Sequence, residues 1–304
     1  MNVLLNYLSD CLPKVRSDIM KLCSFSEIQL QQEIEAMRKQ GLNIIEDECN
    51  VYLVPELPLL NLNKISTALS PYNIYYHSII SSTNEFILDN MDTLHKGDLC
   101  LTEYQSAGRG RRGRQWFSPF AGQIMFSFYW TLNPKMNFEG LSLIVGLAIA
   151  ETLEAKVKWP NDILLFGRKL AGILIEISKV KNGQLNLVIG VGINVSIPKQ
   201  INVDQSYAQL TEIQPEINRD TLIPQLIHNI YDHLTRFEKK GIDQYIQKKW
   251  QQFDEYFGSE VNIIKEKEII SGIAQGINEH GYIRLAHLEE TLYFNAGEVS
   301  LRKK

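Results

Sequence analysis

The stretch Gln105–Pro119, QSAGRGRRGRQWFSP, sets four arginines and three glycines into the seven positions from Gly108 to Arg114. A core strand or a regular helix does not tolerate that composition, because glycine costs backbone entropy and arginine resists burial. Gly108, Gly110 and Gly113 satisfy GxGxxG formally. In a dinucleotide-binding turn that pattern opens a helix, whereas here RQWFSPF leads into a strand-like run from Gln123 to Trp130. A doubly wound nucleotide-binding fold is therefore rejected. The segment reads as a mobile loop whose glycines let backbone approach a ligand. Its arginine forks match phosphate or carboxylate oxygens in pairs. A solvated basic loop, or one that binds nucleic acid nonspecifically, fits the same composition.

Working outward, strand-like runs lie at Asn73–His77 and Asp98–Tyr104 before the loop, and at Ala171–Ser178 and Leu185–Ile193 after it. The last two flank KNG, Lys181–Gly183, a hairpin signal. Leu143, Leu147 and Ala150 mark a mostly buried helix within Glu139–Leu153. An amphipathic helix is predicted over Asp220–Lys240, through Leu226, Ile230, Leu234 and Phe237, with Pro224 in its first turn. Strands mixed with helices and hairpins predict an α+β domain with a mixed sheet. After Gly258 the pattern turns all-β, which suits a small SH3-type barrel. At the other end, Ser26-x-x-Gln29 has capping-box spacing, Leu30, Ile34 and Met37 share a face, and Gly41 marks the stop. With short helical pieces at Val3–Leu8 and Arg16–Leu22 and a trailing strand pair, the order is that of a winged helix-turn-helix, although any small three-helix domain shares it. Pro55–Asn63 reads as a linker. The expected domains are residues 1–60, 64–257 and 258–304.

A net charge of −4 over 304 residues excludes a globally basic nucleic-acid binder. The four cysteines form no CxxC pair and no metal-ligand spacing, so they read as small buried residues of a reduced protein with no metal site. No charged region precedes the N-terminal apolar residues as in a signal peptide, and the apolar run Leu141–Ala150 is too short for a bilayer. A cytoplasmic protein without a membrane partner is expected.

Four further segments carry chemistry. KWPND (Lys158–Asp162) precedes GRKLAGILIE (Gly167–Glu176), and VIGVGIN (Val188–Asn194) follows. Lys169 at a strand start is on its own an ordinary edge charge, but it shares its neighbourhood with Trp159, Asn161 and Asp162. SSTNEF (Ser81–Phe86) sets hydroxyls and an amide at a helix start, where simple N-capping also favours them. In this order and spacing, these segments resemble the biotin–protein ligases. With the N-terminal unit, the chain resembles the bifunctional bacterial type that is also the biotin operon repressor.

The resemblance implies a winged helix, a class II synthetase-like catalytic domain and an SH3-like C-terminal barrel. It implies activation of biotin by ATP and Mg²⁺ to biotinyl-5'-AMP, then transfer to a lysine of a biotin carboxyl carrier protein. It assigns biotin to Ser82, Thr83, Asn84, Gln105, Arg109, Gly110, Arg111 and Lys169. The adenylate falls to Arg109, Arg111, Trp116, Asn161, Asn194 and Tyr207. Lys169 and Arg111 would stabilise charge, and Asp162 would help the acceptor lysine lose its proton or serve as structural support. Gly190, Gly192 and Asn194 would let the sheet approach the ligand. Many relatives carry aspartate at the position of Ser81. A homodimer pairing central sheets edge to edge is implied once adenylate is bound. The same-fold alternative is a lipoate or octanoate transferase, whose sites lack the arginine-rich loop. A different class of alternative is a DNA-binding regulator that only senses biotin.

Charge qualifies the repressor. Residues 1–64 carry six Lys and Arg against nine Asp and Glu, and the helix SEIQLQQEIEAMRKQ is acidic outward until Arg38 and Lys39. Repressors neutralise about 6–10 phosphates, so DNA binding is predicted to be weak or lost, though glutamine remains able to read adenine.

Overall fold

The computed structural model describes residues 3–181, 183–198, 206–265, 268–297 and 299–304. In chain order, α1 (Val3–Leu8), β1 (Lys14–Val15), α2 (Arg16–Cys23), α3 (Glu27–Lys39), β2 (Ile44–Glu46) and β3 (Asn50–Leu53) form an N-terminal module. Its sheet runs β1-β3-β2, antiparallel throughout. The capping box is formed: Gln29 N donates to Ser26 Oγ at 3.3 Å, and Ser26 N donates to Gln29 Oε1 at 2.8 Å. Leu30, Ile34 and Met37 are buried as their spacing predicts.

A short helix α4 (Leu62–Ala68), N-capped by Asn61, follows the irregular segment after β3. Next come β4 (Ile74–Ile80), α5 (Thr83–Asn90), β5 (Leu99–Gln105), β6 (Gln123–Leu132), α6 (Leu141–Leu153), β7 (Lys156–Lys158), β8 (Asp162–Leu165), β9 (Arg168–Lys181) and β10 (Gln184–Asn194). Their sheet is ordered β4-β5-β6-β10-β9-β8-β7 and is mixed, with β4 parallel to β5 and β5 antiparallel to β6. The expected turn between β9 and β10 includes Asn182, which lies outside the described residues; Gly183 takes φ +72°, as a hairpin turn requires.

Helix α7 (Arg219–Lys240) buries Ile223, Leu226, Ile230, Leu234 and Phe237. Pro224 is its sixth residue and falls in the second turn, not the first. Helix α8 (Gln244–Phe253), which the pattern did not reveal, starts at Asp243, whose Oδ1 accepts from Ile246 N at 3.0 Å. The strands β11 (Glu260–Lys265), β12 (Glu268–Ile277), β13 (Ile283–His287), β14 (Glu290–Phe294) and β15 (Ser300–Lys303) make an antiparallel sheet in the order β14-β13-β12-β11-β15. The fold is thus α+β, with a mixed central sheet and an antiparallel C-terminal sheet.

The chain forms two compact units. One comprises Met1–Phe128, Gly190–Gln205 and Gln209–Asp220, the other Tyr129–Ile189, Ser206–Ala208 and Thr221–Lys304. Within the first, α1–α3 and β2–β3 share a core with Ile79, Tyr104, Phe120 and Ala121. In the second, every face of α6 is apolar, and ten of its residues are buried. Of the cysteines only Cys100 is buried; Cys49, in the turn before β3, is exposed. Among the described residues no helix is long and apolar enough to cross a membrane.

Candidate active site

In the first unit, β4 ends at the turn that opens α5, setting Ser82, Thr83 and Asn84 beside the end of β5, and all three are buried. Ser82 occupies the N-cap position but its side chain makes no capping bond, so capping does not account for this cluster. Gln105 Oε1 accepts from Thr83 N at 2.8 Å and lies 3.1 Å from Thr83 Oγ1. Thr83 Oγ1 lies 2.6 Å from Ser127 Oγ, which donates to Asn84 Oδ1 at 2.5 Å. Thr83 has one hydroxyl proton for two neighbouring oxygens: with the Ser127 proton committed to Asn84, it closes the 2.6 Å contact, and Thr83 N is what holds Gln105 Oε1. Among the described residues, Gln105 Nε2 meets the weak acceptor Met125 Sδ, at 3.5 Å, and retains donor capacity. Ser81 Oγ hydrogen-bonds Glu85, a local support for the turn.

The arginine–glycine segment is a small hairpin. Gly110 N donates to Arg114 O at 2.7 Å and Trp116 N to Gly108 O at 2.8 Å, and Arg109 bridges Gln115. Arg111 is half-buried; Arg109, Arg112 and Arg114 are exposed. A 3₁₀ turn, Arg111–Gly113, stands where a dinucleotide fold would place a helix. Trp116 faces inward: its Nε1 donates to Gln123 Oε1 at 3.1 Å, and Gln123 Nε2 donates to Asn194 Oδ1 at 2.8 Å. Gly190 and Gly192 give room to side chains. A Cβ on Gly190 would sit 2.0 Å from Asn84 Oδ1, and one on Gly192 would sit 2.6 Å from the Trp116 ring. The space beside Gly190 and Gly192 is taken by Asn84 and Trp116.

In the second unit, Lys169 and Asp162 form an ion pair at 2.7 Å. A bulge between Ile163 and Leu164 shifts the β8–β9 register so that both side chains reach each other. Asn161 clasps β9, with Nδ2 donating to Ile173 O at 2.9 Å and its carbonyl accepting from Ile173 N at 3.1 Å. Tyr207 lies in a segment that adds to the start of β9: Ala208 N donates to Lys169 O at 2.9 Å and Arg168 Nη1 to Tyr207 O at 3.0 Å. The structure therefore brings Lys169, Asp162, Asn161 and Tyr207 to one strand start.

A model of the biotin/lipoate A/B protein ligase family matches residues 76–194, and one of the biotin protein ligase C terminal domain matches residues 256–302. The bifunctional ligase/repressor BirA of Salmonella typhimurium is 35% identical over 288 residues, covering 91% of this chain and 89% of its own. The BirA of Escherichia coli matches with the same identity and coverage. The chain belongs to the biotin protein ligases. Among solved structures, a biotin protein ligase from Aquifex aeolicus, in complex with biotin and ATP, is similar with a TM-score of 0.65 at 30% identity, covering 76% of this chain and 99% of that one.

Several residues of this biotin protein ligase escaped the sequence reading. Ser127 and Gln123 both lie in the apolar run of β6 and are buried. A polar side chain at an inward position of an apolar strand was the available signal, since burial requires a partner. Glu103 and Arg219 form a buried ion pair at 2.6 Å. Nothing local marks that pair, because its members lie 116 positions apart.

Proposed function

We propose that the protein activates biotin with MgATP to biotinyl-5'-AMP and pyrophosphate, then transfers the biotinyl group to a lysine of a biotin carboxyl carrier protein. The observation that carries this reading is the buried hydroxyl–amide chain Gln105–Thr83–Ser127–Asn84 in the same compact unit as the arginine–glycine hairpin. A ureido ring is worth burying only against groups that satisfy its donors and acceptor, and this chain offers both kinds.

In the first half-reaction the biotin carboxylate attacks the α-phosphorus and pyrophosphate leaves. Two anions must meet, so fixed positive charge is the main catalytic contribution. Arg109, Gly110 and Arg111 close over biotin and adenylate, and Lys169 holds its ammonium between carboxylate and α-phosphate, oriented by Asp162. In the second, the acceptor amine attacks the acyl carbon, AMP leaves, and Asp162 is the candidate to receive the lysine proton. Trp116, Asn161, Asn194 and Tyr207 line the adenylate, and Ser82 completes the biotin pocket. Among the described residues no group of three or more His, Cys, Asp or Glu could hold a metal ion. Mg²⁺ arrives with the nucleotide phosphates, its usual mode of binding.

The architecture assigned to this activity is a winged helix over residues 1–60, a class II synthetase-like domain over 64–257 and an SH3-like barrel over 258–304, in the cytoplasm. Strand β9 pairs with β8 only through Arg168–Gly172, and Ile177 and Val180 further along it are exposed, which supports a homodimer joined edge to edge when adenylate is bound. The N-terminal module would bind DNA weakly. Its Arg16 pairs with Glu27 and Glu46, and Arg38 with Glu35 and Glu46, so both guanidiniums are already engaged.

The test is formation of biotinyl-5'-AMP followed by label transfer to the carrier domain, with octanoate as the competing acid. Lys169→Ala should slow adenylate formation by about 10²-fold or more. An unchanged rate would remove Lys169 from the chemistry, and octanoyl transfer without biotin activation would overturn the reading.

A further inference from the structure

We propose that Arg219 and Glu103 are positioning residues that tie the segment joining the N-terminal module to the wall of the arginine–glycine hairpin. All the groups involved lie in the first compact unit. Both side chains are fully or almost fully buried, at 3% and 0% exposure. Arg219 Nη1 donates to Glu103 Oε2 at 2.6 Å and to Gln123 O at 2.9 Å. Its Nη2 donates to Pro58 O at 2.6 Å and to Glu103 Oε1 at 3.2 Å. Glu103 Oε1 also accepts from Leu60 N at 2.7 Å, and the neighbouring Asp220 accepts from Asn61 N at 2.9 Å. The connecting segment, which reads from composition as a linker, is thus held at Pro58, Leu60 and Asn61.

The path continues on the far side of the fork. Gln123, whose carbonyl Arg219 grips, accepts from Trp116 Nε1 through its own side chain. Trp116 N in turn closes the hairpin on Gly108 O. Arg219, Gln123 and Trp116 therefore span the distance from linker to loop. Stability alone is a poor reason for this arrangement, because a buried ion pair rarely outperforms apolar packing of similar volume. A planar fork that holds two backbone carbonyls from separate segments fixes their relative position, and only arginine has that geometry. Displacement of the linker would loosen the Trp116 wall, and adenylate retention would fall. That consequence for adenylate rests on the ligase reading; the coupling of linker to hairpin does not.

Arg219→Lys keeps the charge beside Glu103 but cannot reach Pro58 O and Gln123 O together. Amide hydrogen exchange on the ligand-free full chain should accelerate about 10-fold at Leu60, Gly110 and Trp116, the effect of losing one charged hydrogen bond. The amides of Ala274 and Leu285 in the C-terminal sheet should be unmoved. A change confined to Leu60, or a uniform rise across the chain, would overturn the proposal. In the functional arm, Arg219→Lys and Trp116→Phe should each speed release of biotinyl-5'-AMP, and the double variant should release no faster than Arg219→Lys alone. Multiplying effects would refute the path. If the wild-type protein makes no biotinyl-5'-AMP, the ligase reading fails, and the exchange measurement still decides the coupling.

Discussion

Replacing Gly190 with alanine tests the cradle most directly. The added Cβ would lie 2.0 Å from Asn84 Oδ1 and 2.9 Å from Asn84 Cγ. Ordinary contact between such atoms needs about 3.5 Å, so the amide oxygen must retreat by roughly 1.5 Å. The 2.5 Å bond from Ser127 Oγ to Asn84 Oδ1 then stretches beyond hydrogen-bonding range. Ser127 is fully buried, so its hydroxyl finds no water in exchange. Overpacking costs about 1–3 kcal/mol, and losing the Ser127–Asn84 hydrogen bond about 1 kcal/mol more, since Ser127 can turn its proton to Thr83 Oγ1. We expect Gly190→Ala to lower the stability read from urea unfolding by about 2–4 kcal/mol. Biotin affinity by calorimetry should weaken about 10-fold or more, because the chain through Thr83 must re-form. Asn84→Ala in the same molecule removes the obstructed group, so the double variant should be no less stable than Asn84→Ala alone. A Gly190→Ala protein within about 0.5 kcal/mol of wild type, or costs that add in the double variant, would refute the geometry.

Three other outcomes follow from the same structure. Arg111→Ala should speed release of biotinyl-5'-AMP about 10-fold, measured by pulse–chase, since a charged hydrogen bond to the ligand is lost; an unchanged rate would sink the loop assignment. Burial raises Asp254 from 3.8 to about 6, against the opposing bonds from Tyr256 N and Trp250 Nε1. Its neutral form favours the fold, so that contribution is complete below pH 3.8 and is lost as pH rises through about 6. The loss amounts to about 3 kcal/mol, and the stability of wild type relative to Asp254→Asn should fall between pH 4 and pH 7. A flat difference would refute the shift. Finally, anisotropy with the upstream DNA of the protein's own biotin operon, with biotin and ATP at two salt concentrations, should show only weak, salt-sensitive binding; tight sequence-specific binding would overturn the charge argument.

The parts of the fold legible in the sequence are those set by neighbours along the chain. Ser26 and Gln29 announce α3 because a capping box needs only three residues of separation, and β9 and β10 announce themselves by apolar runs around a turn. Helix α8 was obscured because YIQKKWQQ is mostly polar and buries only Ile246 and Trp250. The site divides in the same way. Motif residues such as Lys169 and Thr83 stand out, but the groups that hold them do not. Ser127 meets Thr83 across 44 positions and Gln123 meets Asn194 across 71, contacts created only when strands come into register. Gly190 and Gly192 were legible as glycines, yet what fills the space beside them depends on α5 and Trp116, two distant segments.

Charge in the N-terminal module follows the same logic of local surplus and tertiary use. Counting alone gives six basic against nine acidic residues over positions 1–64, a modest imbalance that a well-placed patch could overcome. The structure removes that escape for two of the six. Glu46, at the end of β2, holds Arg16 Nη1 at 2.8 Å and Arg38 Nη1 at 2.9 Å, and Arg38 Nη2 also donates to Ile44 O at 2.9 Å. Each bond to a phosphate would first require breaking one to Glu46, an exchange that gains little in water. Glu46→Gln should therefore raise nonspecific DNA affinity at low salt and steepen its salt dependence by up to two released counterions. If affinity is unchanged, these arginines face away from DNA, and the weakness of binding has its cause in the acidic face of α3 instead.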